Sequence, residues 1–143
     1  MARRRKALTQ IMLFICAESV AVLSGCGSSS IPEILRGVSA GGGYWGACPR
    51  EHDFESSPSA LSPEFNVRLE SRQPPGSADT VLVSGLTAEG FKSAGVCKAD
   101  PNTKILAFED KNTFPNVVAE VYWQTDSEGR IAWTKGFVRY ISF

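Results

Sequence analysis

A chain of 143 residues with 15 basic and 15 acidic side chains is formally neutral. Setting aside residues 1–25, which hold four basic residues and one acidic one, leaves a charge of −3 on the remainder. That remainder is long enough for one domain around one core, and its charge offers no basic patch to a nucleic acid.

Arg3, Arg4, Arg5 and Lys6 precede a largely apolar run over residues 7–23, densest from Ile11 to Ile15. This is the layout of an export signal, with the basic residues held on the cytoplasmic side. Glu18 would cost about 2.5–3.5 kcal/mol at a membrane centre, but it lies near the end of the run. The run only matches the shortest membrane-spanning helix, which favours a processed signal over a retained anchor. Leu23-Ser24-Gly25-Cys26 ends the run, and Gly27-Ser28-Ser29-Ser30 follows. Small residues directly before a cysteine resemble the lipobox of bacterial lipoproteins. The resemblance implies that the chain is cut before Cys26 and that this thiol carries lipid. Cys16 lacks small residues before it and makes a poor acylation site. Each buried methylene contributes about 0.8 kcal/mol, and two or more chains anchor stably. Gly27 stands where an Asp would favour inner-membrane retention, so the resemblance implies the periplasmic face of the outer membrane. The expected division is a signal peptide over 1–25, a flexible tether over 26–43 and a single domain over 44–143.

Cys48 and Cys97 are the remaining cysteines. In an oxidising compartment a lone pair is most simply a disulfide. Closing a loop of about 50 residues stabilises by about 4 kcal/mol in the chain-entropy model. A zinc site would draw on Cys48, His52 and Cys97, but it lacks a fourth ligand and the close cysteine pairs of structural sites. Gly41-Gly42-Gly43 breaks regular structure; with no Lys-Ser/Thr after it, it is not a phosphate-binding loop. No cofactor is expected. Tyr44 and Trp45 open the packed part as core aromatics. Glu51, His52, Asp53 and Glu55 set the single histidine among carboxylates. No nucleophile motif accompanies them, so they read as a solvated acidic loop, and no enzyme is expected.

Ser62-Pro63-Glu64 supplies a cap, an N1 proline and an early acid for a first helix. Phe65 and Leu69 share one of its faces, and Pro74-Pro75 follows its end near Arg72. Ser77 is expected to cap a second helix, with Leu82 and Leu86 on its apolar stripe. Gly90 and Phe91 complete a Schellman stop against Leu86. After it the apolar period changes to two, with strands expected over 92–98, 105–109, 117–125 and 130–142. Val117, Ala119, Val121 and Trp123 take one face; Val118, Glu120, Tyr122 and Gln124 take the other. Gly136 is expected to mark a bulge. The fold class is α+β: a helical hairpin packed on a three- to four-stranded antiparallel sheet, after an N-terminal signal helix.

The helix opening Gly76-Ser77-Ala78-Asp79-Thr80-Val81 and the hairpin of 117–125 with 130–140 are similar to the SmpA/OmlA (BamE-like) group of small outer-membrane lipoproteins. That fold is also the repeating unit of the secreted β-lactamase inhibitor protein. The resemblance implies the fold and no particular binding residues. The function expected from the sequence is a non-enzymatic envelope lipoprotein that binds or scaffolds another envelope protein. Its partners are the membrane, through lipid on Cys26, and a protein docked on an open sheet face bearing Tyr122, Trp133 and Tyr140. The alternative is an inhibitor or immunity lipoprotein that blocks a periplasmic hydrolase.

Overall fold

Proline at N1 and an acid in the first turn start a helix where the sequence places one. The computed structural model, which describes residues 30–43, 48, 53 and 56–142, has α1 at Pro63–Arg72 and α2 at Asp79–Ala88. Four strands follow: β1 (Lys92–Val96), β2 (Lys104–Asp110), β3 (Asn116–Thr125) and β4 (Ile131–Ile141). They form one antiparallel sheet in chain order, β1-β2-β3-β4, the arrangement that short hairpin connections permit. Two helices packed on this sheet make an α+β two-layer domain. α2 stops as the sequence requires: Gly90 has φ +97°, and the Phe91 N–H reaches the Leu86 carbonyl at 3.0 Å. The signal segment, residues 1–25, lies outside the described residues.

The two-residue period of β3 sorts its side chains. Val117, Ala119, Val121 and Trp123 are buried in the main core with Leu106 and Phe108 of β2. Register sets Val121 opposite Leu106 on one side and Gly136 on the other. Phe65, Leu69, Leu82 and Leu86 close the same core from the helices.

Ile34, Leu35 and Val38 are also buried in it. This corrects the expected tether over 26–43 and the domain start at 44. Residues 30–43 belong to the domain, while 26–29 lie outside the described residues. The aliphatic residues around the 3-10 turn Glu33–Leu35 gain more from burial than the glycines and serines flanking them gain from freedom. Arg68 of α1 holds the turn in place, donating to the carbonyl oxygens of Glu33, Ile34 and Arg36 at 3.3, 3.0 and 2.8 Å. Ser30 at the head of this segment donates to Asp110. The Ser30 hydroxyl, then the Asn112 N–H, hold the Asp110 carboxyl below its ordinary value of 3.8.

The start of α1 closes the outer edge of β4. The Ser62 hydroxyl makes no capping bond to α1; it accepts the Val138 N–H at 2.8 Å. Asn66 Oδ1 accepts the Gly136 N–H at 2.9 Å, and Asn66 Nδ2 donates to the Gly136 carbonyl at 2.6 Å. The Gly41 N–H donates to the Val138 carbonyl at 2.9 Å. Side chains and loop backbone thus satisfy ladder groups that a neighbouring strand would otherwise claim.

Ser77 likewise does not cap α2, whose N-cap position is Ala78; its hydroxyl donates to the Pro74 carbonyl at 2.6 Å. Gly136 is not at a bulge. The register irregularity falls between Gln124 and Thr125, and Gly136 pairs regularly with Val121. Glycine is required there because a Cβ would lie 2.6 Å from Phe65 Cε1 and 2.9 Å from Leu69 Cδ1. Gly136→Ala is therefore expected to cost about 1–3 kcal/mol through overpacking. Urea denaturation checks this as a lower midpoint at an unchanged slope.

Candidate functional site

β-strand alternation sends every second residue away from the helices. On that far face Cys97, Tyr122, Trp133 and Phe137 form a second buried cluster, with Cys48, Leu61 and Ile105 packed against it. Cys48 and Cys97 are joined in a disulfide with Cα atoms 5.5 Å apart. The bond occupies both sulfurs that the zinc alternative required. Among the described residues no group of three or more His, Cys, Asp or Glu side chains is placed to hold a metal ion.

The expected contact surface of Tyr122, Trp133 and Tyr140 is not assembled as one exposed patch. Tyr122 and Trp133 are each only 6% exposed. Chain distant in sequence roofs this face, with Cys48 and Leu61 packed on the cluster. Gly43 passes close over the same cluster, where a Cβ would sit 2.7 Å from Phe137 Cε2. The triple glycine, expected as part of a leash, thus permits close backbone approach. Tyr140, 39% exposed, pairs with Val117 and so belongs to the helix-side register. Its hydroxyl donates to the Val38 carbonyl at 2.7 Å.

A polar group borders the second cluster. Tyr122 donates to Glu120 Oε2 at 2.6 Å, and Arg139 Nη2 lies 3.8 Å from Glu120 Oε1. The Arg139 guanidinium also stands 5.5 Å from the centre of the Phe137 ring, within cation–π range. Burial, then the Glu120 carboxylate, push the Tyr122 phenol well above its ordinary value of 10.0. The sign follows: a raised folded-state value stabilises the fold fully below pH 10.0, and that contribution is lost as pH rises through the folded value. Tyr122→Phe should reduce the fall in stability above this pH, checked by denaturation at a series of alkaline pH values.

Of the remaining residues singled out, Cys26, Tyr44, Trp45, Glu51, His52 and Glu55 lie outside the described residues. Asp53 accepts the Ser56 hydroxyl at its carbonyl at 3.0 Å. No helix among the described residues is long and apolar enough to cross a membrane.

A feature that sequence reading missed lies along β1, the other edge of the sheet. All five of its residues are exposed. Between β1 and α2 runs a groove of about 320 Å³, lined by Val83, Val96, Leu106 and Trp123 among others. Lys104 Nζ and Asp79 Oδ2, 2.5 Å apart, form an ion pair in its wall. Val96 is 53% exposed there. Gly95 has φ +89°, and the register shifts between Ser93 and Gly95, so β1 is irregular as an edge strand. Lys92-Ser93-Ala94-Gly95-Val96 is the sequence signal: small residues with a lysine, typical of a blunted edge. The groove thus sets apolar side chains beside the Asp79–Lys104 ion pair.

In comparisons with known proteins, no family model, curated protein or solved structure matches the chain.

Proposed function

We propose that this chain is a non-enzymatic envelope lipoprotein. Lipid on Cys26 holds it at the periplasmic face of the outer membrane, and the domain binds another envelope protein. The observation that carries this reading is Leu23-Ser24-Gly25-Cys26 at the end of a basic-then-apolar start. The Cys48–Cys97 disulfide supports it, since such bonds persist in oxidising compartments. The likeness of the second helix opening and the last hairpin to the SmpA/OmlA group points to the same setting. For the protein partner, the groove beside β1 replaces the aromatic face as the contact region. Its exposed Val96, with Lys92 and Lys98 nearby in the chain, suits an apolar side chain flanked by carboxylates.

Two measurements test this. Mass analysis of the native product should find a chain beginning at Cys26 and carrying acyl groups; an unprocessed start overturns the anchor. A photoreactive side chain at Val96, activated in intact envelopes, should give one reproducible protein adduct that the same group at Val67 does not give. No specific adduct from Val96 overturns the partner surface.

A further inference from the structure

The position of Ser30 decides which end of the domain faces the lipid. Ser30 Oγ donates to Asp110 Oδ2, and Asp110 is the last residue of β2. Asp110 Oδ1 also accepts the Asn112 N–H at 2.8 Å. One carboxylate thus joins the N-terminal segment to the 111–115 loop between β2 and β3. Four residue steps separate Cys26 from Ser30, at most about 14 Å of fully extended chain. Any lipid on Cys26 is therefore tethered close to this loop. The opposite end of the sheet, where Asp126, Ser127, Glu128 and Gly129 turn the chain, lies a strand length further away. β4 spans eleven residues, or about 36 Å at the usual rise.

The loop has the chemistry of a membrane contact. Phe114 is 83% exposed, more than any other large apolar side chain among the described residues. Lys111, three residues before it, is an exposed cation whose ion pair with Glu109 spans 3.4 Å at the surface. Apolar side chains such as Trp, Phe and Leu of peripheral segments bury at the boundary of headgroups and acyl chains, and lysine is attracted to the phosphates of anionic lipid. One ring binds a bilayer weakly by itself. Held by a short tether to the same surface, it meets that surface at a high effective concentration.

We propose that the 111–115 loop docks on the phospholipid surface that holds the Cys26 lipid, with the Phe114 ring inserted at the boundary of headgroups and acyl chains. This rests on the acylation of Cys26 proposed above. It fixes the orientation of the domain: the β2–β3 loop and the end of β4 face the lipid, and the β3–β4 turn points into the periplasm.

The test uses acylated full-length protein in vesicles of phosphatidylethanolamine and phosphatidylglycerol, with ordinary or brominated acyl chains. Phe114→Trp and Val67→Trp are each compared with the unsubstituted protein, whose own tryptophans set the baseline. The indole introduced by Phe114→Trp should shift to the blue and lose emission in brominated vesicles. That of Val67→Trp, on the exposed side of α1, should do neither. If Cys26 is acylated and the indole at position 114 is unquenched, docking is overturned and the lipoprotein reading stands. If that indole shifts only when envelope proteins are added, without quenching by bromine, its partner is a protein and lipid docking is again overturned. Absence of acyl chains on Cys26 overturns both.

Discussion

Replacing Cys48 and Cys97 together by alanine should lower the stability of the folded domain by about 4 kcal/mol. The bridge spans 49 positions of sequence, so its loss returns a large loop to the unfolded chain's freedom. Cys97 is also buried against Tyr122, Trp133 and Phe137, so truncation removes packing from a cluster with few members. The whole stability of such a domain is about 5–15 kcal/mol, and the loss is a large share of it. Thermal unfolding should drop by about 12–20 °C. The unsubstituted protein unfolded in reductant should approach the double variant. Equal melting temperatures for the unsubstituted protein with and without reductant would remove the bridge as a stabilising element.

Phe65→Ala is expected to cost about 3–5 kcal/mol. Its ring is fully buried, 6.4 Å from the Phe91 ring, which in turn lies 5.6 Å from Phe108. Phe65 is therefore the first member of an aromatic row joining α1 to the sheet. The same ring blocks a Cβ at Gly136, so the two positions are coupled. Gly136→Ala should be better tolerated in the Phe65→Ala background than alone, by about 0.5–3 kcal/mol. Leu69 Cδ1, 2.9 Å from that Cβ position, keeps the relief partial. A double-mutant cycle in urea checks the coupling, and simple additivity would refute it.

The helices and the last hairpin were legible because local chemistry and packing agree there. Pro63 and Glu64 start α1, Gly90 ends α2, and Phe65, Leu69, Leu82 and Leu86 fall at helical spacing on the buried side. Ile34, Leu35 and Val38 were not legible as core. They lie in a short piece without sustained periodicity, between glycines and serines that read as a leash. Ser62 and Asn66 look like ordinary helix-start residues, and no local pattern reveals that they serve the backbone of a strand some 70 positions away.

The aromatic surface failed for two separate reasons. Alternation put Tyr122 on the face away from the helices, correctly, but a face turned from helices is exposed only if no other chain covers it. Cys48 and Leu61 do so here, and they come from far earlier in the sequence. Trp133 and Tyr140 differ by seven positions on one strand, an odd number, so they cannot share a face of a regular strand. That separation was readable from the sequence alone. The groove beside β1 was not, because it depends on how closely α2 approaches an edge strand.

The two borders of the sheet differ in what they allow a second molecule to do. β4 is occupied by Ser62, Asn66 and Gly41 around Gly136 and Val138, and by Gly76 and Ser77 at Ile131. Among the described residues, β1 has β2 as its only strand neighbour. If two copies met strand to strand, they would do so through β1, leaving an occupied border at each outer end of the joined sheet. Such growth terminates at a pair, so the fold resists the open-ended stacking that leads to fibres.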